Sequence, residues 1–227
     1  MKTKKLVIIG ATETAKLAYH YFTIDSEYEI VAFAADKQYL SEDELYGLPI
    51  YPLETIETIL PPNEYDAFVA VGSNKLNTNR TKLYREAKGK GYKLASYISS
   101  KATIGAEVQI GDNCFIQEGN NIQSFVKIGN NVTLWAGNHI GHRTVVHDNC
   151  FITSHVVISG WCEIGAYTFI GVNCCVADEI KIGEKSLIGL GCIIGKDVEA
   201  NSIMRMTYAK QHPITATRFN GIDNFDF

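Results

Sequence analysis

Two hydrophobic patterns divide the chain. Over residues 1 to 98, short aliphatic runs alternate with segments whose apolar residues recur at helical spacing. Leu6-Val-Ile-Ile9 reads as a buried strand closed by Gly10. Ala15, Leu17, Ala18, Tyr21 and Phe22 then share one helical face, with Thr12 placed to cap it. Ile30–Ala34 predicts a second strand ending at Asp36, and Leu53–Leu60 a short helix halted by Pro61 and Pro62. Ala67–Val71 predicts a third strand ending at Gly72, Asn77–Lys88 a helix, and Leu94–Ile98 a last strand. Strands alternating with helices predict a small, mostly parallel α/β sheet.

From Ile104 the period becomes six. Sixteen aliphatic residues, from Ile104 and Ile110 to Ile188 and Ile194, stand at six-residue intervals without an insertion, and Gly follows nine of them. That period fits neither an α-helix nor an indefinitely long strand. It fits a solenoid in which each hexad is one flat side plus a corner, the aliphatic residue pointing inward onto its equivalents in the coils above and below. The small residue after it is expected to let the chain bend. The period alone gives stacking; three hexads per turn, hence about five turns, is carried over from the known hexapeptide-repeat β-helix. After Ile194 the repeat fades, leaving residues 204–227 as a polar, aromatic-tipped tail suited to capping the solenoid or packing on a neighbouring subunit.

Composition narrows the function. Of 227 residues, 46% are hydrophobic and 20% charged, the profile of a globular chain rather than a disordered one. The net charge of -4 disfavours nucleic acid as a partner. No apolar run approaches the ~20 residues that cross a bilayer, and the four aliphatic residues before Gly10 are too few for a signal-peptide core. No membrane insertion and a cytoplasmic location are the expectations. Of the six cysteines, Cys114, Cys150, Cys162, Cys174 and Cys192 fall at the fifth hexad position, where Val and Thr also recur. Packing as small inward hydrophobes explains them better than disulfides, with Cys175 pointing outward.

A solenoid carries chemistry on its faces, its edges and its contacts with other copies, so polar residues that interrupt the repeat are the candidates. Four of six histidines, His139, His142, His147 and His155, lie in one stretch outside the inward columns. Imidazole is the natural general base near neutral pH, with an unperturbed pKa of about 6.5. In the first region Gly10-Ala-Thr-Glu-Thr14 links a strand to a helix without the GxGxxG fingerprint, which argues against NAD. A helix start beside a parallel strand end still suits a phosphate, and Asp36 and Gly72 end strands facing the same crevice.

The opening Val-Ile-Ile-Gly-Ala, the Val-Ala-Val-Gly-Ser strand end, the Tyr97-Ile-Ser-Ser-Lys-Ala-Thr-Ile-Gly junction and the unbroken hexads together resemble the sugar O-/N-acyltransferases. That group includes bacillosamine-pathway and perosamine N-acetyltransferases and sialic acid O-acetyltransferases. The resemblance implies a Rossmann-like, nucleotide-sugar-binding α/β domain (1–98), a left-handed parallel β-helix (99–203) and the tail (204–227). It implies a homotrimer with acetyl-CoA lying between neighbouring solenoids. By hexad phase the family's catalytic histidine falls on His142 and its CoA-contacting positions on Gly160 and Val172. The nucleotide-sugar loops fall on Ala11, Thr12, Glu13, Thr14, Asp36 and Gly72. Many members carry an acid after the histidine, where this chain has Arg143. The alternative phase, His147-Asp148, restores a His–acid pair at the cost of a five-residue shift in register. A further family histidine near the thioester corresponds to Phe151.

His142-x4-His147 also resembles a ligand pair of γ-class carbonic anhydrases. The position about two turns upstream, where those proteins supply another histidine, is Ala106, so no metal is expected. The expected activity is therefore acetyl transfer from acetyl-CoA to a nucleotide-linked amino sugar, with His142 as general base, in surface polysaccharide or glycan biosynthesis. O-acetylation of a sugar of the sialic acid type and a non-catalytic scaffold are the alternatives.

Overall fold

The computed structural model describes residues 2–39, 43–207 and 209–219. The first domain is a five-stranded sheet: β1 (Lys4–Ile9), β2 (Tyr28–Ala35), β3 (Glu44–Leu45), β4 (Leu48–Pro52) and β5 (Asp66–Val69), in the order β3-β4-β2-β1-β5. All pairings are parallel except β3 with β4. The helices are α1 (Glu13–Ile24), α2 (Ile56–Ile59) and α3 (Thr78–Gly89). Side-chain alternation along β1 feeds two cores. Leu6 and Ile8 pack with Phe22, Phe33 and Phe68 on one side, and Val7 and Ile9 with Leu53, Ile56 and Tyr92 on the other.

Two local expectations change, and one strand is new. Leu48–Pro52, for which the sequence pattern predicted no element, is a strand between β2 and the two-residue edge strand β3. Thr12 occupies the N-cap of α1 in extended conformation but makes no side-chain capping bond. The strand expected over 94–98 divides: Leu94 bridges Ala67, whereas Tyr97–Ile98 pairs with Phe115–Ile116 of the solenoid. The Tyr97 ring still packs on Phe22 of the first domain, centroids 5.4 Å apart, so one residue serves both cores.

The second domain is a three-sided parallel β-helix of two-residue strands. The first face starts at Thr103–Ile104, the second at Gln109–Ile110, and the third at Tyr97–Ile98; each strand pairs with its counterpart three hexads on. Among the described residues the faces hold six, five and seven strands. Only the last coil is shorter, with Leu187 pairing with Ile203. The aliphatic and fifth-position columns form one buried core.

The corners correct the expected role of the small residues. Backbone reversal is carried by the third residue after the aliphatic one, which is left-handed in coil after coil: Asn113 (φ 52°), Phe125 (φ 68°), Arg143 (φ 60°), Trp161 (φ 60°). The glycines directly after the aliphatic residue, such as Gly141 and Gly171, are needed for space instead. A Cβ at Gly141 would stand 2.3 Å from the Ser159 carbonyl carbon, and one at Gly171 2.6 Å from the Leu190 nitrogen.

The first domain sits on the third face and on the corner before it. Phe115 packs against Phe68 and Tyr97 at centroid distances of 5.6 Å. Below them runs a ladder of buried asparagines, one per coil. Asn113 donates to Asn131 and Asn131 to Asn149, each at 2.8 Å. The ladder is docked at both ends: Asn113 Oδ1 accepts the Val69 N–H (2.7 Å), and Asn149 Oδ1 accepts the Thr81 hydroxyl (2.9 Å). Arg80 is buried beside it, donating to Thr133 and to the Asn131 carbonyl. Burial pushes its guanidinium down to about 10, so it stays charged at neutral pH and its hydrogen bonds fix the docking.

Cys114, Cys150, Cys162, Cys174 and Cys192 are buried and Cys175 is half-buried on the outside. Burial pushes the Cys114 and Cys150 thiols up to about 12. Of the tail, Met204 closes the last strand and α4 (Ala216–Phe219) is exposed; residue 208 and residues 220–227 lie outside the described residues. No helix among the described residues is long and apolar enough to cross a membrane.

This packing has two measurable consequences. Titration of the native protein with a thiol reagent modifies at most Cys175, and the other five thiols react only on unfolding; two or more fast native thiols would contradict the packing. Gly171→Ala lowers stability by about 2 kcal/mol through overpacking. Gly195→Ala, where a Cβ meets nothing within 4 Å, stays within about 0.5 kcal/mol. Denaturant midpoints compare the two variants.

Candidate active site

The hexad period decides which residues meet. Successive hexads turn onto different faces, so neighbours in space lie about three hexads apart in sequence. His142 stands on the corner between the first and second faces, His147 on the corner between the second and third, and His155 on the corner between the third and first. His139 faces outward from the first face. The run of histidines in the sequence is thus spread around the coil. Among the described residues no three His, Cys, Asp or Glu side chains gather into a metal-binding group.

His142 and Gly160 do meet. The exposed imidazole lies against Gly160, where an added Cβ would come within 2.4 Å of Cε1. Trp161 closes one side edge-on, ring centroids 6.3 Å apart. Beneath the ring is Gln123, from the preceding coil. Its Oε1 accepts the His142 backbone N–H at 2.8 Å and lies 3.3 Å from Nδ1. Arg143 does not take the place of the missing acid. Its guanidinium is sandwiched between Phe125 and Trp161, 4.6 and 4.9 Å from their centroids. The alternative pair His147-Asp148 does not form: His147 Nε2 is 3.0 Å from Glu163, and Asp148 accepts the Asn130 N–H.

Two other expected positions lie elsewhere. Val172 is exposed on the corner between the third and first faces, away from Gly160. Phe151 is buried on the third face, stacked on Phe169 and covered by Arg80.

The expected acceptor loops line a cavity of about 480 Å³ at the carboxyl ends of β1, β2 and β5. Ala11, Thr12 and Asp36 border it. Glu13, Thr14 and Gly72 do not: Glu13 is exposed and paired with Lys16 (2.7 Å), and Thr14 packs toward Gly72. The wall also holds Asn74, Lys75, Asn79 and Lys82, and the two lysines continue into a groove with Arg85 and Lys185. These lysines are not among the positions expected from the sequence. Lys75 precedes α3 and Lys82 lies within it, and the direction of Lys75 depends on three consecutive left-handed residues, Lys75, Leu76 and Asn77 (φ 52°, 47° and 63°). Asn77 is fully buried, and its side chain donates to the Asn149 carbonyl (2.7 Å), which holds that unusual backbone in place.

Comparison with known proteins follows the same division. Residues 5–87 match the PglD N-terminal domain family, and residues 125–160 the bacterial transferase hexapeptide (six repeats) family. No curated protein matches the chain. Among solved structures, the acetyltransferase domain of PglB from Neisseria gonorrhoeae superposes with a TM-score of 0.80 at 24% identity, covering 88% of this chain and 96% of that one. A histidine-to-asparagine variant of perosamine N-acetyltransferase from Caulobacter crescentus, in complex with CoA and GDP-perosamine, gives 0.78 at 21%, covering 88% and 92%. WeeI from Acinetobacter baumannii gives 0.65 at 21%, covering 88% and 96%. The chain joins a domain matching the PglD N-terminal domain family to a left-handed β-helix that carries bacterial transferase hexapeptide repeats, a two-domain fold it shares with these solved structures.

Proposed function

We propose that the chain is an acetyl-CoA-dependent N-acetyltransferase acting on a nucleotide-linked amino sugar, with His142 as general base, working as a homotrimer. The observation that carries this reading is the placement of two half-sites. His142 lies on the corner between the first and second faces, whereas the cationic cavity belongs to a domain seated on the third face and the corner before it. Within one chain the imidazole and the cavity thus belong to different corners of the coil, an arrangement suited to a site shared between copies, and exposed Val157, Val172, Leu190 and Ile193 around the remaining corner supply apolar surface for a second copy.

The chemistry suits the groups present. Thr12 and Asp36 offer polar contacts to a nucleoside, and Lys75 and Lys82 complement a diphosphate. A neutral amine attacks the thioester carbonyl carbon, forming the C–N bond. His142 takes the proton from the attacking nitrogen, and collapse of the tetrahedral intermediate expels the CoA thiolate. An amine needs only a modest base; a hydroxyl would gain more from a carboxylate behind the imidazole, and Arg143 turns away from that role. CoA would lie along the corner at Gly160, with Val172 contributed by the adjoining chain. The PglB domain in complex with acetyl-CoA and the perosamine enzyme in complex with CoA and GDP-perosamine support this choice of substrates.

Incubation with acetyl-CoA and a panel of nucleotide amino sugars is expected to release thiol only with an accepted sugar. No release with any acceptor, together with no CoA binding, leaves a scaffold role. His142→Ala is expected to lower kcat by about 10² or more, and a loss below about tenfold at saturating substrate removes it as base. Lys82→Ala is expected to raise KM for the sugar nucleotide about tenfold with KM for acetyl-CoA unchanged, as loss of one charge-assisted hydrogen bond requires. Equal effects on both substrates would place the cavity outside acceptor binding.

A further inference from the structure

The orienting partner of His142 is the open question at the site, since the residue after it is Arg143 and points elsewhere. Gln123 occupies a column whose equivalents one, two and three coils on are Gly141, Ser159 and Ala177. It is therefore the bulky exception where the coils usually take a small residue. Its placement fixes a proton. The His142 backbone N–H can only donate, so the Gln123 atom 2.8 Å away must be the amide oxygen, not the nitrogen. The same oxygen stands 3.3 Å from Nδ1, which must then carry a hydrogen to make that approach favourable. The lone pair is left on Nε2, which has no hydrogen-bond partner among the described residues.

We propose that Gln123 is a positioning residue: through one oxygen shared between the backbone and the ring, it holds His142 as the Nδ1–H tautomer and leaves Nε2 as the proton acceptor. The inference rests on the reading of His142 as the general base. A neutral amide sets the tautomer without adding negative charge beside the ring.

The tautomer can be read without turnover. In protein labelled with 15N-histidine, on the alkaline side of the ring titration, the His142 signals (assigned by their loss in His142→Ala) are expected to be amine-like at Nδ1 and pyridine-like at Nε2. Gln123→Ala is expected to fold, because alanine already occupies this column at Ala177, and to return the ring to a tautomer mixture. In the assay it is expected to lower kcat about tenfold while KM for acetyl-CoA stays within about twofold. Gln123→Glu keeps the acceptor oxygen and adds charge. It is expected to restore the Nδ1–H tautomer and to move the acid limb of the kcat/KM profile up by about one pH unit, a shift that a purely structural side chain would not produce. An Nε2–H ring in the unmodified protein, or an unchanged tautomer in Gln123→Ala, overturns the proposal. An Nδ1–H ring that depends on Gln123, in a protein that acetylates nothing, upholds the tautomer assignment and removes the proposed activity instead.

Discussion

Equal coil length is the constraint on which the rest of the structure depends. Each coil before the last is three hexads long, so its aliphatic residues sit over their equivalents and its two-residue strands find their partners in register. One inserted residue would send a whole column from the core to the surface. The close approach of the coils explains the glycine after the aliphatic position, because an added Cβ there would press into the backbone of the next coil. Where a larger residue does occupy that place, as Gln123 does, its side chain has to lie outside the stack and becomes available for other work.

The same regularity makes a polar junction possible. Asparagine tolerates the left-handed corner, and Asn113, Asn131 and Asn149 use it to build a hydrogen-bonded ladder along one edge. The first domain docks on that ladder through Val69, Thr81 and Asn77, with Arg80 buried alongside. Such contacts are directional, so they set the orientation of the cationic cavity relative to the coils more sharply than apolar packing alone would. The geometry of the cavity is then tied to the solenoid, and through it to any copy packed on the solenoid.

Much of this was legible in the sequence, for an identifiable reason. An inward position in a stacked coil must be aliphatic whatever its neighbours are, so the period shows at Ile104 as plainly as at Ile188. The cysteine column was readable on the same ground. Less legible were features set by two domains at once, such as Tyr97, or strands that contain prolines, such as β4. The histidine run misled because sequence adjacency is a poor guide in a coil. His142 and His147 stand close together in the chain and lie on different corners, while Gln123 and Gly160, each about one full coil away from His142, touch it. Searching the sequence for exceptions one coil apart would have found Gln123; nothing in it announced the direction of Lys75 and Lys82.

If the coil presents one imidazole at a boundary where another chain completes the site, a crystal structure of the assembly with bound CoA will show the thiol sulfur within reach of His142 Nε2, at about 3 to 4 Å, with the cationic cavity of the adjoining chain opening onto the same point. A sulfur bound at another corner of the coil, or a cavity of the adjoining chain facing away from His142, is the result incompatible with a shared site.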